Sequence, residues 1–144
     1  MSLEENKAIA RRHFEELWNK GDLAVADEIY AATAVGHNPI TPEHGGYPDC
    51  EKEAVLRDRT GFPDEQVTIE EQIAERDLVV TRWTSRGTHT GEFMGLPITG
   101  NQVTATGIHI HRIRDGKIVE IWASPDYLGF MQQLGVIPPL GQAG

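Results

Sequence analysis

His109 and His111 stand two apart in the run Gln102-Val103-Thr104-Ala105-Thr106-Gly107-Ile108-His109-Ile110-His111-Arg112-Ile113. Strand side chains alternate, so both imidazoles share a face with Val103, Ala105 and Gly107, whose small side chains leave space beside them. Three readings compete for the pair. It faces solvent or a subunit interface, it lines a pocket where it holds a carbonyl or orients a carboxylate, or it binds a metal. The metal reading is the weakest, because a His-x-His strand site wants a glutamate a few residues on, and Arg112, Ile113 and Arg114 follow instead. His37, His44 and His89 could serve only as distant ligands, so no metal is expected.

Asp126 is a carboxylate just past Lys117-Ile118-Val119-Glu120-Ile121-Trp122, with Pro125 fixing the chain before it. Its structural reading is the N-cap of a last helix through Leu128, Met131 and Leu134 that ends at Gly135. Trp18 and Trp83 are candidate pocket walls, with plain core packing as the competing reading for both. Trp122 and His37 join them as candidate ligand contacts, His37 if its loop folds over a pocket. Arg82 and Arg86 share a strand face and suit a partner subunit or Glu70 and Glu71 next door. His13, by contrast, reads as solvated surface, and Cys50 has no neighbour to activate it.

The elements that would position these groups follow from periodicity. Ser2-Leu3-Glu4-Glu5 fits a capping box opening an amphipathic helix with Ala8, Ile9, Phe14, Leu17 and Trp18. Gly21 ends it, and Asp22 is placed to cap a second helix carrying Leu23, Val25, Ala26, Ile29 and Tyr30. From Gly36 to Asp49 three prolines and three glycines predict a long loop, of the kind that forms lids. A short helix over Cys50 to Arg59, started by Asp49, comes next. The period then falls to 2 for hairpin partners at 67–75 and 78–89, and Asp115-Gly116 predicts a type I′ turn between two further strands. Helices first and an antiparallel meander afterwards predict an α+β domain with a strongly curved sheet around the helices, and a ligand cavity between the two layers. Residues 1–135 form that one domain and 136–144 a tail.

Composition narrows the partners. The 144 residues suit one domain, and 39% hydrophobic content suffices for its core. A formal net charge of −9 repels phosphate backbones and anionic lipid, which excludes nucleic acid and membrane surfaces as expected partners. The single cysteine forbids an internal disulfide, and the acidic start Met1-Ser2-Leu3-Glu4-Glu5 is unlike a signal peptide, so a reducing, cytoplasmic compartment is expected.

The strings from Thr81-Arg82-Trp83 through Gly91-Glu92-Phe93-Met94-Gly95-Leu96-Pro97, Thr106-Gly107-Ile108-His109-Ile110-His111, Asp115-Gly116-Lys117-Ile118-Val119-Glu120-Ile121-Trp122 and Gln132-Gln133-Leu134-Gly135 resemble the SnoaL-like ester cyclase family. The resemblance covers residues 4 to 135 and extends to the wider nuclear transport factor 2-like superfamily. It implies a cone-shaped α+β fold in which a strongly curved antiparallel or mixed sheet wraps around the N-terminal helices, with a deep apolar pocket, no cofactor and no metal, and homodimers or homotetramers. It also implies ring closure of an aromatic polyketide by intramolecular aldol condensation, with Asp126 as acid and base and His109, His111 and His37 as site residues. Here Glu120-Ile121-Trp122 replaces the usual Glu-Glu-Trp and Gly36-His37-Asn38 a more typical Asp-His. Such chemistry needs a base for a proton flanked by carbonyls and donors to hold the enolate. Other expectations on the same fold are a non-catalytic small-molecule binding protein, or a related isomerase, dehydratase or epoxide hydrolase.

Overall fold

The computed structural model describes residues 1–38 and 46–141. Helix α1 (Leu3–Arg12) begins in the expected capping box, with Ser2 accepting from the Glu5 N–H and Glu5 accepting from the Ser2 N–H. It runs on as a π-helical segment, His13–Trp18, in which the Asn19 N–H donates to the Phe14 carbonyl five residues back. Gly21 turns the corner at φ 67°, where a side chain would also collide with Arg59, whose guanidinium donates to the carbonyls of Trp18 and Asn19. Helix α2 (Ala24–Ile29) follows, then strand β1 (Tyr30–His37), helix α3 (Asp49–Gly61), strands β2 (Gln66–Glu75), β3 (Leu78–Thr88), β4 (Gln102–Arg114) and β5 (Lys117–Pro125), and helix α4 (Tyr127–Gln133).

The five strands form one sheet in the order β1-β5-β4-β3-β2. The hairpins β2–β3, β3–β4 and β4–β5 are antiparallel as expected, and Asp115 and Gly116 both take positive φ in the predicted tight turn. Strand β1 corrects the reading of the chain after α2. Tyr30 leaves the helix instead of continuing it, and residues through His37 pair parallel with β5, so the sheet is mixed. The sequence Tyr30-Ala31-Ala32-Thr33-Ala34-Val35 carries too weak an alternation to announce an edge strand. Asp22 also does not cap α2 through its side chain; its carbonyl accepts from the Val25 N–H.

The principal core lies between α1, α2 and the inner face of the sheet, where Leu17, Ile29, Val79 and Ile118 are almost wholly buried. Each such side chain contributes about 1.5–3 kcal/mol by leaving water. Asn19 hooks the helical layer to the edge strand, its amide oxygen accepting from the Val67 N–H at 2.6 Å and its nitrogen donating to the Val67 carbonyl at 2.8 Å. That pair satisfies a sheet edge which would otherwise be open. Toward the other end the two layers separate, and the space between them is the cavity. No helix among the described residues is long and apolar enough to cross a membrane.

Candidate functional site

The cavity has a volume of about 510 Å³, within the range of small-molecule sites. The π-helical segment supplies His13, Phe14 and Trp18, β3 supplies Trp83 and Ser85, β4 supplies Ala105 and His109, and α4 with the residue before it supplies Asp126, Tyr127 and Phe130. Trp18 and Trp83 both line it, and each also packs on core neighbours.

His109 is positioned by a chain of local choices. Gly107 faces Trp83 across the β3–β4 ladder, and a Cβ there would sit 2.3 Å from the indole. Its absence lets the indole lie flat over the strand, the usual meaning of a glycine inside a strand. From that seat Trp83 Nε1–H donates to His109 Nδ1 at 2.8 Å. An indole nitrogen can only donate, so Nδ1 carries no proton and the neutral ring holds its hydrogen on Nε2. Burial lowers the His109 pKa to about 4, which keeps the ring neutral near pH 7.

His13 corrects the surface reading. It is 2% exposed, shares a 2.5 Å hydrogen bond through Nδ1 with the Tyr30 hydroxyl, and lies 5.4 Å from His109 and 5.0 Å from His111 between ring centroids. The signal was present in the spacing: position 13 is three after Ala10 and four before Leu17, on the buried stripe, but polar residues at 6 and 13 masked it. His111 shares a face of β4 with His109 as expected; that face is the inner one, yet His111 does not reach the cavity. It is fully buried behind His13 and His109, and neither of its ring nitrogens has a hydrogen-bond partner among the described residues. Burial, then the neighbouring imidazoles, holds both His13 and His111 well below the ordinary histidine pKa. The three rings make a neutral imidazole floor. Among the described residues, no group of three or more His, Cys, Asp or Glu side chains is disposed to hold a metal ion.

Asp126 lines the cavity at its rim and caps α4, accepting from the Gly129 N–H at 2.9 Å. Gly129 leaves room for this, since a Cβ there would come within 2.3 Å of Asp126 Oδ2. The Asp126 N–H donates to the Thr106 carbonyl, so the backbone places it three residues, about 10 Å along the strands, from His109. A ligand between them can touch both.

His37 stands on the rim, half exposed, with Nε2 2.9 Å from Glu120 Oε2 and its ring stacked on Trp122 at 5.2 Å. Trp122 itself is a correction. Alternation along β5 turns Ile121 and Ala123 into the cavity and Trp122 onto the outer face, under the Arg112 guanidinium. His89 is buried against Phe62, away from the imidazole floor. His44 and residues 39–45 of the expected lid lie outside the described residues. Arg82 meets Glu71 on the outer face at 3.8 Å, as expected.

Two cavity groups escaped the reading of the sequence. Glu51 of α3 accepts the Trp18 indole N–H at 3.0 Å and stands 3.8 Å from His13 Nε2. Glu65, just before β2, also lines the cavity, as does Asp58, and burial followed by repulsion from Asp58 pushes its carboxyl up to about 8. A charged residue next to a turn gives no sign in sequence that it points inward.

The mixed-sheet α+β fold thus encloses a cavity with neutral imidazoles on its floor and a carboxylate at its rim. The family model for SnoaL-like polyketide cyclases matches residues 8–134, and the chain belongs to that family. It is 35% identical over 101 residues to the nogalonic acid methyl ester cyclase of Streptomyces nogalater, covering 68% of this chain and 75% of that protein. Among solved structures it is similar to the proposed hydroxylase AclR of Streptomyces galilaeus, at 28% identity and a TM-score of 0.84, covering 98% of this chain and 87% of the other. It is also similar to the proposed polyketide cyclase IdmH of Streptomyces antibioticus, at 33% identity and a TM-score of 0.76, covering 91% and 99%.

Proposed function

We propose that the protein closes a ring in a polyketide-type ester by intramolecular aldol condensation, using its own side chains as acid and base. The observation that carries the reading is the fixed tautomer of His109, which leaves an uncharged Nε2–H donor in the same cavity as the Asp126 carboxylate. Asp126 removes a proton from a carbon flanked by carbonyls. The enolate carbon then attacks a ketone carbon of the same molecule, one carbon–carbon bond forms, and the new alkoxide takes the proton back from Asp126. His109 Nε2–H donates to the oxygen on which negative charge gathers. A neutral imidazole in this role supplies a donor whose own charge does not change during the reaction. Phe14, Trp83 and Phe130 exclude water from the enolate.

The test is turnover of the methyl esters of nogalonic and aklanonic acid, substrates named for relatives of this chain, read as a change in retention with no change in mass. Conversion is expected. Binding of both esters without conversion would overturn the cyclase reading in favour of a small-molecule binding protein. The same reading expects a homodimer or homotetramer through the outer sheet face, where Ile108 and Val35 are exposed. Light scattering that finds a single-chain particle at high concentration would refute it.

A further inference from the structure

Glu65 is a carboxyl group without a partner. Its Oε1 is buried, no hydrogen bond or ion pair from the described residues reaches it, and the residue lines the cavity. Burying a polar atom without a hydrogen bond is costly, so its persistence at a cavity wall points to a partner that arrives with the ligand. The backbone holds Glu65 firmly in this place. Its N–H donates to the Phe62 carbonyl at 3.0 Å, and its Cα packs 3.4 Å from the Cβ position of Gly87 on the neighbouring strand. Arg57, which also lines the cavity, is already engaged, its Nε donating to Asp58 Oδ1 at 3.0 Å.

We propose that Glu65 is a second oxygen-binding group of the cavity, whose carboxyl donates a hydrogen bond to an uncharged carbonyl oxygen of the ligand, at the wall opposite Asp126. The assignment rests on the cavity being the substrate site of the preceding section. Strand order puts Glu65, which precedes β2, three strands from β5 and the Asp126 that follows it, about 14 Å measured across the sheet. A ligand that meets both walls is therefore an extended, multi-ring compound carrying a ketone, quinone or ester oxygen at the end remote from the reacting carbon. The ionisation state agrees with a donor. The pKa near 8 keeps the acid protonated at neutral pH, set by burial and by Asp58 and Asp64 against the opposing pull of Arg59 and Arg57. Loss of the proton would place a second negative charge beside Asp58 and turn a donor into an acceptor facing another acceptor.

The experiment compares 9,10-anthraquinone with anthracene, two ring systems of one shape that differ by two carbonyls and carry no ionisable group. Affinities are read from quenching of the cavity tryptophans. Glu65→Leu is expected to lower the preference for the quinone by about two- to tenfold, the worth of one net hydrogen bond, while Glu65→Gln, which retains an N–H donor, preserves it. In the wild-type protein the preference is expected to fall as pH rises through 8, and in Glu65→Gln to stay level from pH 6 to 9. An unchanged preference in Glu65→Leu, a level wild-type profile, or no quinone binding at all would overturn the proposal. The wild-type profile needs no variant to fold. Loss of the Glu65 effect with ester turnover intact removes this proposal alone, whereas a Glu65 effect without turnover removes the cyclase reading and leaves the binding group standing.

Discussion

The imidazole floor and the Glu65 wall reach the same electrical state by opposite routes. On the floor three bases are kept unprotonated by burial, and on the wall an acid is kept protonated by burial. Charge is costly in either place, so near pH 7 both surfaces offer neutral polar groups. What separates them is support. His109 and His13 are tied to Trp83 and Tyr30, whereas Glu65 has no tie. Asp126 differs from both, since it sits at the rim on a helix N-terminus. The contrast is one of support: buried imidazoles held by neighbours, an acid on the far wall without such a tie, and at the rim the carboxylate to which the proposed reaction gives the proton.

The largest effect is expected at the rim. Asp126→Asn preserves the oxygen that accepts from the Gly129 N–H, so α4 should stay capped while the base is lost. Turnover of the ester should drop about 10²–10⁴-fold, the usual contribution of general acid–base catalysis. Asp126→Ala should match that loss and also cost about 1 kcal/mol of stability in urea denaturation. Wild-type turnover in Asp126→Asn would leave Asp126 as a cap and move the chemistry to the interior.

The next effect sharpens the contrast between floor and wall through pH. A histidine whose folded pKa lies below its unfolded value of 6.5 leaves stability fully present above pH 6.5 and removes it as pH falls toward the folded value. For His109 that window runs from 6.5 to about 4 and is worth on the order of 3 kcal/mol. His13 and His111 act in the same direction. Glu65 does the reverse: its raised pKa favours the fold at low pH and disfavours it as pH climbs from 4.5 through 8. Denaturation midpoints measured from pH 4 to 9 should therefore show an acid limb that is shallower in His111→Leu and an alkaline limb that is shallower in Glu65→Gln. Limbs unaltered by both variants would contradict the burial argument at both walls.

A smaller effect tests the tie itself. Trp83→Phe keeps an aromatic ring over Gly107 but removes the donor to His109 Nδ1. The imidazole is then free to place its proton on either nitrogen, and turnover should fall about tenfold, less than the loss of an entire oxyanion donor. Nitrogen chemical shifts of His109 should show the Nε2–H tautomer in the wild type and a mixture in the variant.

Much of this arrangement is legible in the sequence wherever a side chain follows a period. The capping box at Ser2, the Asp115-Gly116 turn, the shared face of His109 and His111 and the cap at Asp126 all rest on local geometry that needs no tertiary knowledge. The losses are of another kind. His13 is a polar residue on an apolar stripe, so its type argued against its position. Strand β1 pairs in parallel with β5, more than eighty residues further along the chain, and has little alternation of its own. His111 and Glu65 were beyond reach because their character comes from what surrounds them: one lies behind two other rings, the other beside Asp58 on a different element.

The smallest expected effect concerns neighbours on one strand. Trp122 and Ala123 are adjacent in β5 but open onto opposite faces, so substitutions at the two positions should part ways. Trp122 lies on the outer face between the His37 ring and the Arg112 guanidinium, and Trp122→Phe retains a ring for both. A surface change of this kind alters energies by no more than about 0.5 kcal/mol, so ester turnover should stay within roughly twofold of wild type. Ala123 lines the inner cavity opposite His109 on β4, and Ala123→Trp would put an indole there, blocking the ligand. Steady-state turnover of the two variants, with anthraquinone affinity as a second reading, checks the pair. A tenfold loss in Trp122→Phe would bring the outer depression lined by His37, Ile108 and Trp122 into the substrate path, and the inner cavity could no longer be treated as the whole of the site.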